Sequence, residues 1–297
     1  MTAQSDDDGS TGREADATIT EALTPSWGHY IRSRCELAHF RSRLQSVDVH
    51  DTESFGRLFR LDGHCMTSEK DEFYYHENLV HVAAVTHEAP RRALVVGGGD
   101  GGSAEELLKH PSVIGVTVCE IDEAVVDIAR RFFDSVHRGA FDDPRVTLCI
   151  EDGFNYLRRT EACYDLIVLD LTDPGPVSAP LYTEAFFRAC ASRLTTGGAM
   201  TMHVASPVTH PERVREMLAR LRQSFRCVRP YLVPVPLYGG MWMLACAANA
   251  LDPVSLSMRE ADCRIADRGL TRLQYYNGAM HQAGFALPNF VQALTLP

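Results

Sequence analysis

The sequence VGGGDGG at residues 96–102 constrains the fold more than any other segment of this chain. It follows a short apolar run, residues 93–96, and precedes a segment rich in helix-forming residues. Gly97, Gly99 and Gly102 fit the pattern G-x-G-x-x-G, which is typical of nucleotide-binding loops when a strand precedes it and a helix follows. Because glycine clusters also form plain turns, the motif is interpreted together with the segments that follow it.

Four further apolar runs follow, and helix-forming segments separate them. They end near Glu120, at residues 151–153, at Asp170 and near His203. This alternation predicts a parallel, doubly wound sheet whose ligand crevice lies at the carboxyl ends of the strands. We therefore expect the acids at the strand ends to share one edge of the sheet.

The sequence predicts three segments. Residues 1–25 are rich in Asp, Ser, Thr and Gly, and we expect them to be disordered. Residues 26–85 contain short alternating stretches separated by turn residues, which predict a small antiparallel β domain. Residues 86–297 are expected to form a Rossmann-like α/β domain with a parallel-dominated sheet and an antiparallel strand pair at one edge.

The charge of the glycine loop separates two classes of ligand. A dinucleotide would place its pyrophosphate beside Asp100, and like charges about 4 Å apart repel by about 4 kcal/mol at an effective dielectric constant near 20. An adenosyl sulfonium has the opposite sign. Glu120 can bind its ribose, Asp152 its adenine amino group, and Asp100 a positive group. Decarboxylated S-adenosylmethionine fits better than S-adenosylmethionine itself, because Asp100 would repel the carboxylate of the latter.

Asp170 and Asp173 follow the fourth apolar run, in the sequence DLTDP. An amine acceptor has a pKa near 10 in solution and attacks only after it has lost a proton. A carboxylate in a partly desolvated crevice can accept that proton and hold the remaining ammonium. In the simpler interpretation Asp173 belongs to a turn and Asp170 caps a strand end.

These motifs resemble those of the polyamine aminopropyltransferases, the spermidine synthase family, from about residue 41 to the C-terminus. Four motifs carry the resemblance: GGGDGG at residues 97–102, EID at 120–122, DG at 152–153 and D-x-[ST]-D-P at 170–174. The segments around Gln45, Tyr75 and Tyr238 also resemble the family pattern.

The resemblance implies a Rossmann-like S-adenosylmethionine-dependent transferase domain. The reaction would transfer an aminopropyl group from decarboxylated S-adenosylmethionine to putrescine, giving spermidine and methylthioadenosine, without a metal or a tightly bound cofactor. Asp170 would be the base, with Asp173 assisting. The co-substrate would contact Gln45, Gly97, Gly99, Asp100, Gly102, Glu120, Asp152 and Gly153. The amine would contact Tyr75, His76, Asp100, Asp170, Asp173 and Tyr238. A homodimer or homotetramer is implied as well.

Three positions depart from the family pattern. Met66 and His203 stand where the family often has glutamine, and Glu105 stands where an arginine is common. The acceptor therefore stays open: putrescine is the default expectation, and spermidine, cadaverine and agmatine are alternatives. Trp27 and Trp242 are interpreted either as core residues or as part of the amine-binding wall.

Composition restricts the function classes further. The formal net charge of -10 argues against nucleic-acid binding, and no apolar run is long enough for a membrane span. The nine cysteines form no C-x-x-C pair, which favours buried thiols in a reducing cytoplasm over disulfides or a zinc site. Two other functions stay open: a small-molecule methyltransferase, which would share the sheet and Glu120, and a polyamine-binding protein without turnover.

Overall fold

The computed structural model describes residues 17–296, which form two successive β-sheets. The first is a five-stranded antiparallel meander in which each strand pairs with the next. Its strands are β1 (Ala17–Thr24), β2 (Trp27–Arg41), β3 (Ser46–Thr52), β4 (Gly56–Leu61) and β5 (His64–Ser68). Val47, Val49 and Phe59 of this sheet pack in one apolar cluster with Val125 and Ile128 of the following domain. The small sheet is thereby fixed against the large one.

Strand β1 lies within the segment for which disorder is expected, so that expectation is wrong for residues 17–24. The strand pairs antiparallel with β2, and Ile19 packs in a cluster with Ile31 and Leu237. The segment looks polar in sequence because only alternate side chains, Ile19 and Glu21, are buried. Residues 1–16 lie outside the described part of the chain.

The second sheet has the predicted parallel arrangement. Its strands are β6 (Arg92–Gly97), β7 (Gly115–Glu120), β8 (Val146–Ile150), β9 (Tyr164–Asp170), β10 (Leu194–Ala205), β11 (Cys227–Val235) and β12 (Gly240–Ala248). Their order in the sheet is β11-β12-β10-β9-β6-β7-β8. The strands from β8 to β10 run parallel, and β12 and β11 are added antiparallel at the β10 edge. The Rossmann-like α/β class and the antiparallel edge pair are both confirmed.

The helices of residues 17–296 cover the large sheet. They are α1 (Glu72–Thr86), α2 (Gly102–Leu108), α3 (Glu123–Phe132), α4 (Asp134–His137), α5 (Gly153–Arg159), α6 (Glu184–Arg193), α7 (Pro211–Arg222), α8 (Met258–Asp267), α9 (Gly278–Gly284) and α10 (Asn289–Thr295). Helix α1 packs against α2 and against strands of the large sheet. This packing places α1 with the large domain and moves the boundary expected after residue 85 to about residue 71. Within these residues, every helix is too short or too polar to cross a bilayer.

Side chains of the central strands alternate between two apolar layers. Leu94 and Ile167 pack in the layer that contains α6 and α7, whereas Val95 and Val168 pack in the layer that contains α1 and α2. Because both faces of β6 and β9 are covered, a ligand can reach these strands only at their ends. The loops at the carboxyl ends form a crevice, and the small sheet covers it.

Candidate active site

Two cavities, of about 120 and 270 Å³, lie in this crevice. They meet at Met66, Leu171, Thr172 and Tyr238, which line both. The first cavity brings together most of the predicted site residues: Gln45, Tyr75, His76, Gly97, Gly99, Asp100, Glu120, Asp152, Gly153, Asp170 and Tyr238. Asp173 lines the second cavity.

The glycine loop between β6 and α2 approaches its neighbours too closely to carry side chains. Gly97 has a φ of 79°, and a Cβ there would lie 2.1 Å from the carbonyl oxygen of Asp170. A Cβ on Gly102 would lie 2.2 Å from the ring of His76. Glycine is therefore required at both positions, and Gly102 packs directly behind the imidazole.

Two of the predicted acids lie at the ends of β7 and β8. The Oε1 atom of Glu120 accepts a hydrogen bond from the backbone N–H of Asp122 at 2.9 Å. Asp152 caps α5 by accepting from the backbone N–H of Asn155 at 2.8 Å. Burial raises the pKa of Glu120 to about 7, although backbone N–H groups oppose this shift. This carboxyl group can therefore ionise when hydroxyl donors approach it near neutral pH.

Gln45 reaches the first cavity from the turn between β2 and β3. Its Nε2 atom donates to Oδ2 of Asp122 at 3.0 Å, and the hydroxyl of Ser42 donates to the same oxygen at 2.6 Å. The other carboxylate oxygen of Asp122 caps α3. These contacts hold the small sheet against the strand end that carries Glu120.

His76, Asp100 and Asp170 form a buried charged cluster. The Nε2 atom of His76 lies 3.4 Å from Oδ2 of Asp100 and 3.8 Å from Oδ2 of Asp170. Its Nδ1 atom lies 2.8 Å from Oε2 of Glu72, one turn earlier on α1. The hydroxyl of Ser103 donates to Oδ2 of Asp170 at 2.7 Å. The imidazole of His76 is thus surrounded by carboxylates at both ring nitrogens.

The neighbours of these three side chains determine their protonation. Burial lowers the pKa of His76, but Asp100, Glu72 and Asp170 outweigh it and raise this pKa well above its usual value. Burial raises the pKa of Asp100, but the charge of His76 and its hydrogen bond hold this pKa below its usual value. For Asp170, burial and the charge of Asp100 raise the pKa. Asp170 is therefore the more basic of the two aspartates, and the neighbouring carboxylates favour the imidazolium form of His76.

The same cluster offers three ligand atoms within 4.8 Å of one another, a spacing that a metal ion could bridge. The raised pKa of His76 favours the imidazolium, which has no lone pair for a metal. An organic ammonium suits the cluster better. It can lie between Asp100 and Asp170 once His76 has released its proton.

Glu105, the third departure from the family pattern, lies among cations. Its Oε2 atom is 3.0 Å from Nζ of Lys109 and 3.2 Å from the guanidinium of Arg138. The same guanidinium lies 3.3 Å from Glu72, the partner of His76. The acid at residue 105 is therefore compensated by its neighbours.

Asp173 lies apart from the charged cluster. Its Oδ2 atom is 2.9 Å from the guanidinium of Arg213, and its Oδ1 atom is 3.5 Å from Nε2 of His203. Burial raises the pKa of Asp173, but His203 and Arg213 outweigh it and lower this pKa to about 2. A carboxylate with so low a pKa accepts a proton poorly, so Asp170 is better suited to be a base.

Aromatic side chains line the passage between the two cavities. The rings of Tyr75 and Tyr238 lie edge to face, with centroids 5.8 Å apart. The hydroxyl of Tyr238 donates to the carbonyl oxygen of Met66 at 2.7 Å. The imidazole of His203 lies between two hydroxyl groups, with Nδ1 3.2 Å from that of Tyr75 and Nε2 3.0 Å from that of Tyr182. His203 therefore contributes to the shape of the passage through both tyrosines.

The two tryptophans differ in their placement. Trp242 is buried and lines the second cavity, with its ring centroid 5.2 Å from that of Tyr238. Trp242 thus belongs to the cavity wall. Trp27 is 49% exposed at the start of β2, so a core role is wrong for it.

The sequence did not reveal several residues of the site. Glu72 and Ser103 contact the charged cluster, Glu21 and Arg213 line the second cavity, and Tyr182 contacts His203. The four-residue spacing between Glu72 and His76 in a helical segment would have indicated their pairing. Ser103 directly follows the glycine loop, and the other three residues come from segments that carry no distinguishing pattern.

Comparison with known proteins identifies similar sequences. Residues 72–256 match the family model described as the spermine/spermidine synthase domain. The polyamine aminopropyltransferase of Nitrosomonas europaea is 46% identical over 280 residues, which cover 94% of this chain and 86% of that protein. The polyamine aminopropyltransferase of Bacillus subtilis is 35% identical over 276 residues, which cover 93% of this chain and 97% of that protein.

Comparison with solved structures identifies proteins that have the same architecture as this chain. A spermidine synthase in complex with the transition-state analogue AdoDATO superposes with a TM-score of 0.89 at 33% identity, covering 97% of this chain and 98% of that chain. The spermidine synthase of Thermotoga maritima superposes with a TM-score of 0.87 at 34% identity, covering 97% of each chain.

Proposed function

Because the chain belongs to the spermine/spermidine synthase family of polyamine aminopropyltransferases, we propose that it transfers the aminopropyl group of decarboxylated S-adenosylmethionine to putrescine. The products are spermidine and methylthioadenosine. The buried cluster of His76, Asp100 and Asp170 carries this proposal, because it places two carboxylates for cationic groups beside a nucleotide-binding loop.

The first cavity binds the nucleoside. Glu120 accepts hydrogen bonds from the ribose hydroxyls, and Asp152 binds the adenine amino group. Gln45 closes the site from the small sheet. Glycine at residue 97 lets the loop backbone pack against the backbone of Asp170 at the end of β9. The similarity to a spermidine synthase in complex with AdoDATO supports this assignment.

The reaction is a displacement at carbon. Asp100 binds the aminopropyl ammonium of the co-substrate, and Asp170 accepts a proton from the attacking amine. The lone pair of that nitrogen forms a bond to the propyl carbon next to sulfur. The carbon–sulfur bond breaks, its electron pair stays on sulfur, and the sulfonium becomes the neutral thioether of methylthioadenosine. Alignment of the two ligands and removal of one proton supply the catalysis.

The passage between the cavities binds the acceptor. Tyr75 and Tyr238 pack against its methylene groups, and a ring face attracts a nearby ammonium by about 0.5–2 kcal/mol. The far ammonium of putrescine then lies near Asp173, which stays ionised because its pKa is about 2. His203 and Met66 shape this passage, so they determine whether spermidine, cadaverine or agmatine is accepted instead.

The site disfavours the two other functions. A methyltransferase would place the carboxylate of S-adenosylmethionine beside the carboxylate of Asp100, which costs free energy in a buried site. A polyamine-binding protein without turnover would not need a carboxyl group of raised pKa, such as that of Asp170, at the meeting point of donor and acceptor. Inhibition by methylthioadenosine rather than by S-adenosylhomocysteine distinguishes the transferase classes.

We propose further, on family grounds, a homodimer or homotetramer in the cytoplasm that binds decarboxylated S-adenosylmethionine only as a co-substrate. Trp27, Tyr30 and Phe40 support this oligomer, since all three are exposed on β2 of the small sheet. Light scattering after size-exclusion chromatography tests it. A monomer at micromolar concentration would contradict it.

A product assay tests the proposed reaction. Purified protein is incubated with decarboxylated S-adenosylmethionine and, in parallel, with putrescine, cadaverine, spermidine or agmatine, and the products are resolved by mass spectrometry. Spermidine and methylthioadenosine in equal amounts from putrescine are expected. Preference for another amine would show that this amine, rather than putrescine, is the acceptor. Absence of any aminopropylated product would overturn the proposal.

A further inference from the structure

The second cavity holds two carboxylates, and both already have partners. Asp173 is paired with Arg213 at 2.9 Å. The Oε1 atom of Glu21 lies 2.9 Å from Nδ1 of His64, and its Oε2 atom accepts from the backbone N–H of Cys65 at 2.8 Å. A polycation that enters this cavity therefore finds little uncompensated negative charge.

Hydrogen bonds around His203 leave one oxygen of Asp173 available. The hydroxyl of Tyr182 donates to the carbonyl oxygen of Thr172 at 2.6 Å, so it accepts from the Nε2–H of His203 at 3.0 Å. The Nδ1 atom of His203 lies 3.2 Å from the hydroxyl of Tyr75. Because Tyr182 receives the Nε2–H of His203, Nε2 approaches Oδ1 of Asp173 only to 3.5 Å. Oδ1 of Asp173 can therefore accept one ammonium, while Oδ2 stays bound to Arg213.

Basic groups lie around this acceptor oxygen. Arg213 lies in the first turn of α7, and its side chain is 30% exposed while it contacts Asp173. His210 precedes the same helix and lines the same cavity, and burial lowers its pKa, which favours the neutral form. The permanent cation beside Asp173 is thus the guanidinium of Arg213. The far ammonium of a diamine can bind Asp173. The additional ammonium of a longer polyamine would lie close to this guanidinium, which has the same charge.

We propose that Arg213 is a specificity-determining residue that restricts the acceptor to diamines. Its guanidinium occupies one of the two carboxylate oxygens of Asp173 and repels a third ammonium group. Arg213 therefore disfavours binding of spermidine relative to binding of putrescine. This inference rests on the proposed aminopropyl transfer. It adds an upper limit on the number of charges that the acceptor carries.

Steady-state kinetics of R213Q with putrescine and with spermidine test this inference. We expect the ratio of kcat/KM for spermidine to that for putrescine to rise about tenfold, mainly through a lower KM for spermidine. R213M, which keeps part of the apolar stem, should raise the ratio similarly, and R213K, which keeps the charge, should leave it within about threefold of the parent. The matched control is R215Q, because Arg215 lies on the same helix and pairs with Glu212.

The outcomes separate this inference from the proposed function. Suppose that the parent enzyme makes spermidine from putrescine and that the kcat/KM ratio in both R213Q and R213M stays within twofold of the parent value. This result would overturn the inference and leave the proposed function intact. A parent enzyme that prefers spermidine would overturn it as well. A parent enzyme that aminopropylates none of these amines would overturn both.

Discussion

The Nε2 atom of His76 lies 3.4 Å from the Oδ2 atom of Asp100, inside a crevice where both side chains are largely shielded from water. Before any ligand arrives, this pair favours the ionised form of Asp100 and the protonated form of His76. An arriving ammonium has the same sign as the imidazolium and competes for the same carboxylate. Binding of the aminopropyl group should therefore be linked to the loss of a proton.

We predict that binding of decarboxylated S-adenosylmethionine at pH 7 releases up to one proton from His76. The pKa of His76 is raised well above its usual value in the free protein, and a nearby ammonium lowers it. Calorimetric titrations in two buffers of different ionisation enthalpy measure the number of protons. Ionisation of Glu120 adds to the protons released, so H76Q should lower their number by up to one without abolishing the release. If the binding enthalpy of the parent protein is the same in both buffers, no proton is released, and the prediction is contradicted.

A second prediction concerns Glu120 and uses methylthioadenosine, which lacks the aminopropyl ammonium. The pKa of Glu120 is about 7 in the free protein, so this carboxyl becomes protonated and loses its ability to accept from ribose hydroxyls as the pH falls. The affinity for methylthioadenosine should therefore fall about tenfold between pH 8 and pH 6. Fluorescence or calorimetric titration measures it. E120Q should bind more weakly with a flat pH profile, and an equally steep profile in E120Q would refute this role.

The third prediction concerns the contact behind His76. A Cβ at residue 102 would lie 2.2 Å from the imidazole, so G102A should displace the ring. We expect a loss of about 1–3 kcal/mol in the free energy of unfolding and a large loss of activity. The control is G115A, because a Cβ at Gly115 meets no atom within 4 Å among residues 17–296. Denaturant unfolding curves compare the two variants, and equal stabilities would contradict the packing argument.

Much of the fold and the first cavity could be predicted because both depend on strand ends. Asp100, Glu120, Asp152 and Asp170 each follow an apolar run, and parallel strands bring their carboxyl ends to one edge. Sequence position alone therefore indicates that they are neighbours.

The second cavity was much harder to predict. Glu21, His203 and Arg213 belong to an edge strand, a central strand and a helix of different layers. His203 and Arg213 meet within the large domain, where α7 packs against β10, and the packing of the small sheet adds Glu21. Residues 17–24 also escaped prediction, because one pairing strand and a single buried isoleucine stabilise them rather than a long apolar pattern.

The most direct test of the proposed mechanism is the activity of D170N beside that of D173N, with methylthioadenosine affinity measured for both. Asp170 has a raised pKa and lies in the charged cluster, whereas Asp173 has a pKa of about 2 and lies beside Arg213. We predict that D170N lowers kcat by about 10²–10⁴ while methylthioadenosine affinity stays within threefold of the parent, and that D173N acts mainly on the KM of the amine. Turnover by D170N within about tenfold of the parent enzyme would show that Asp170 is not the base.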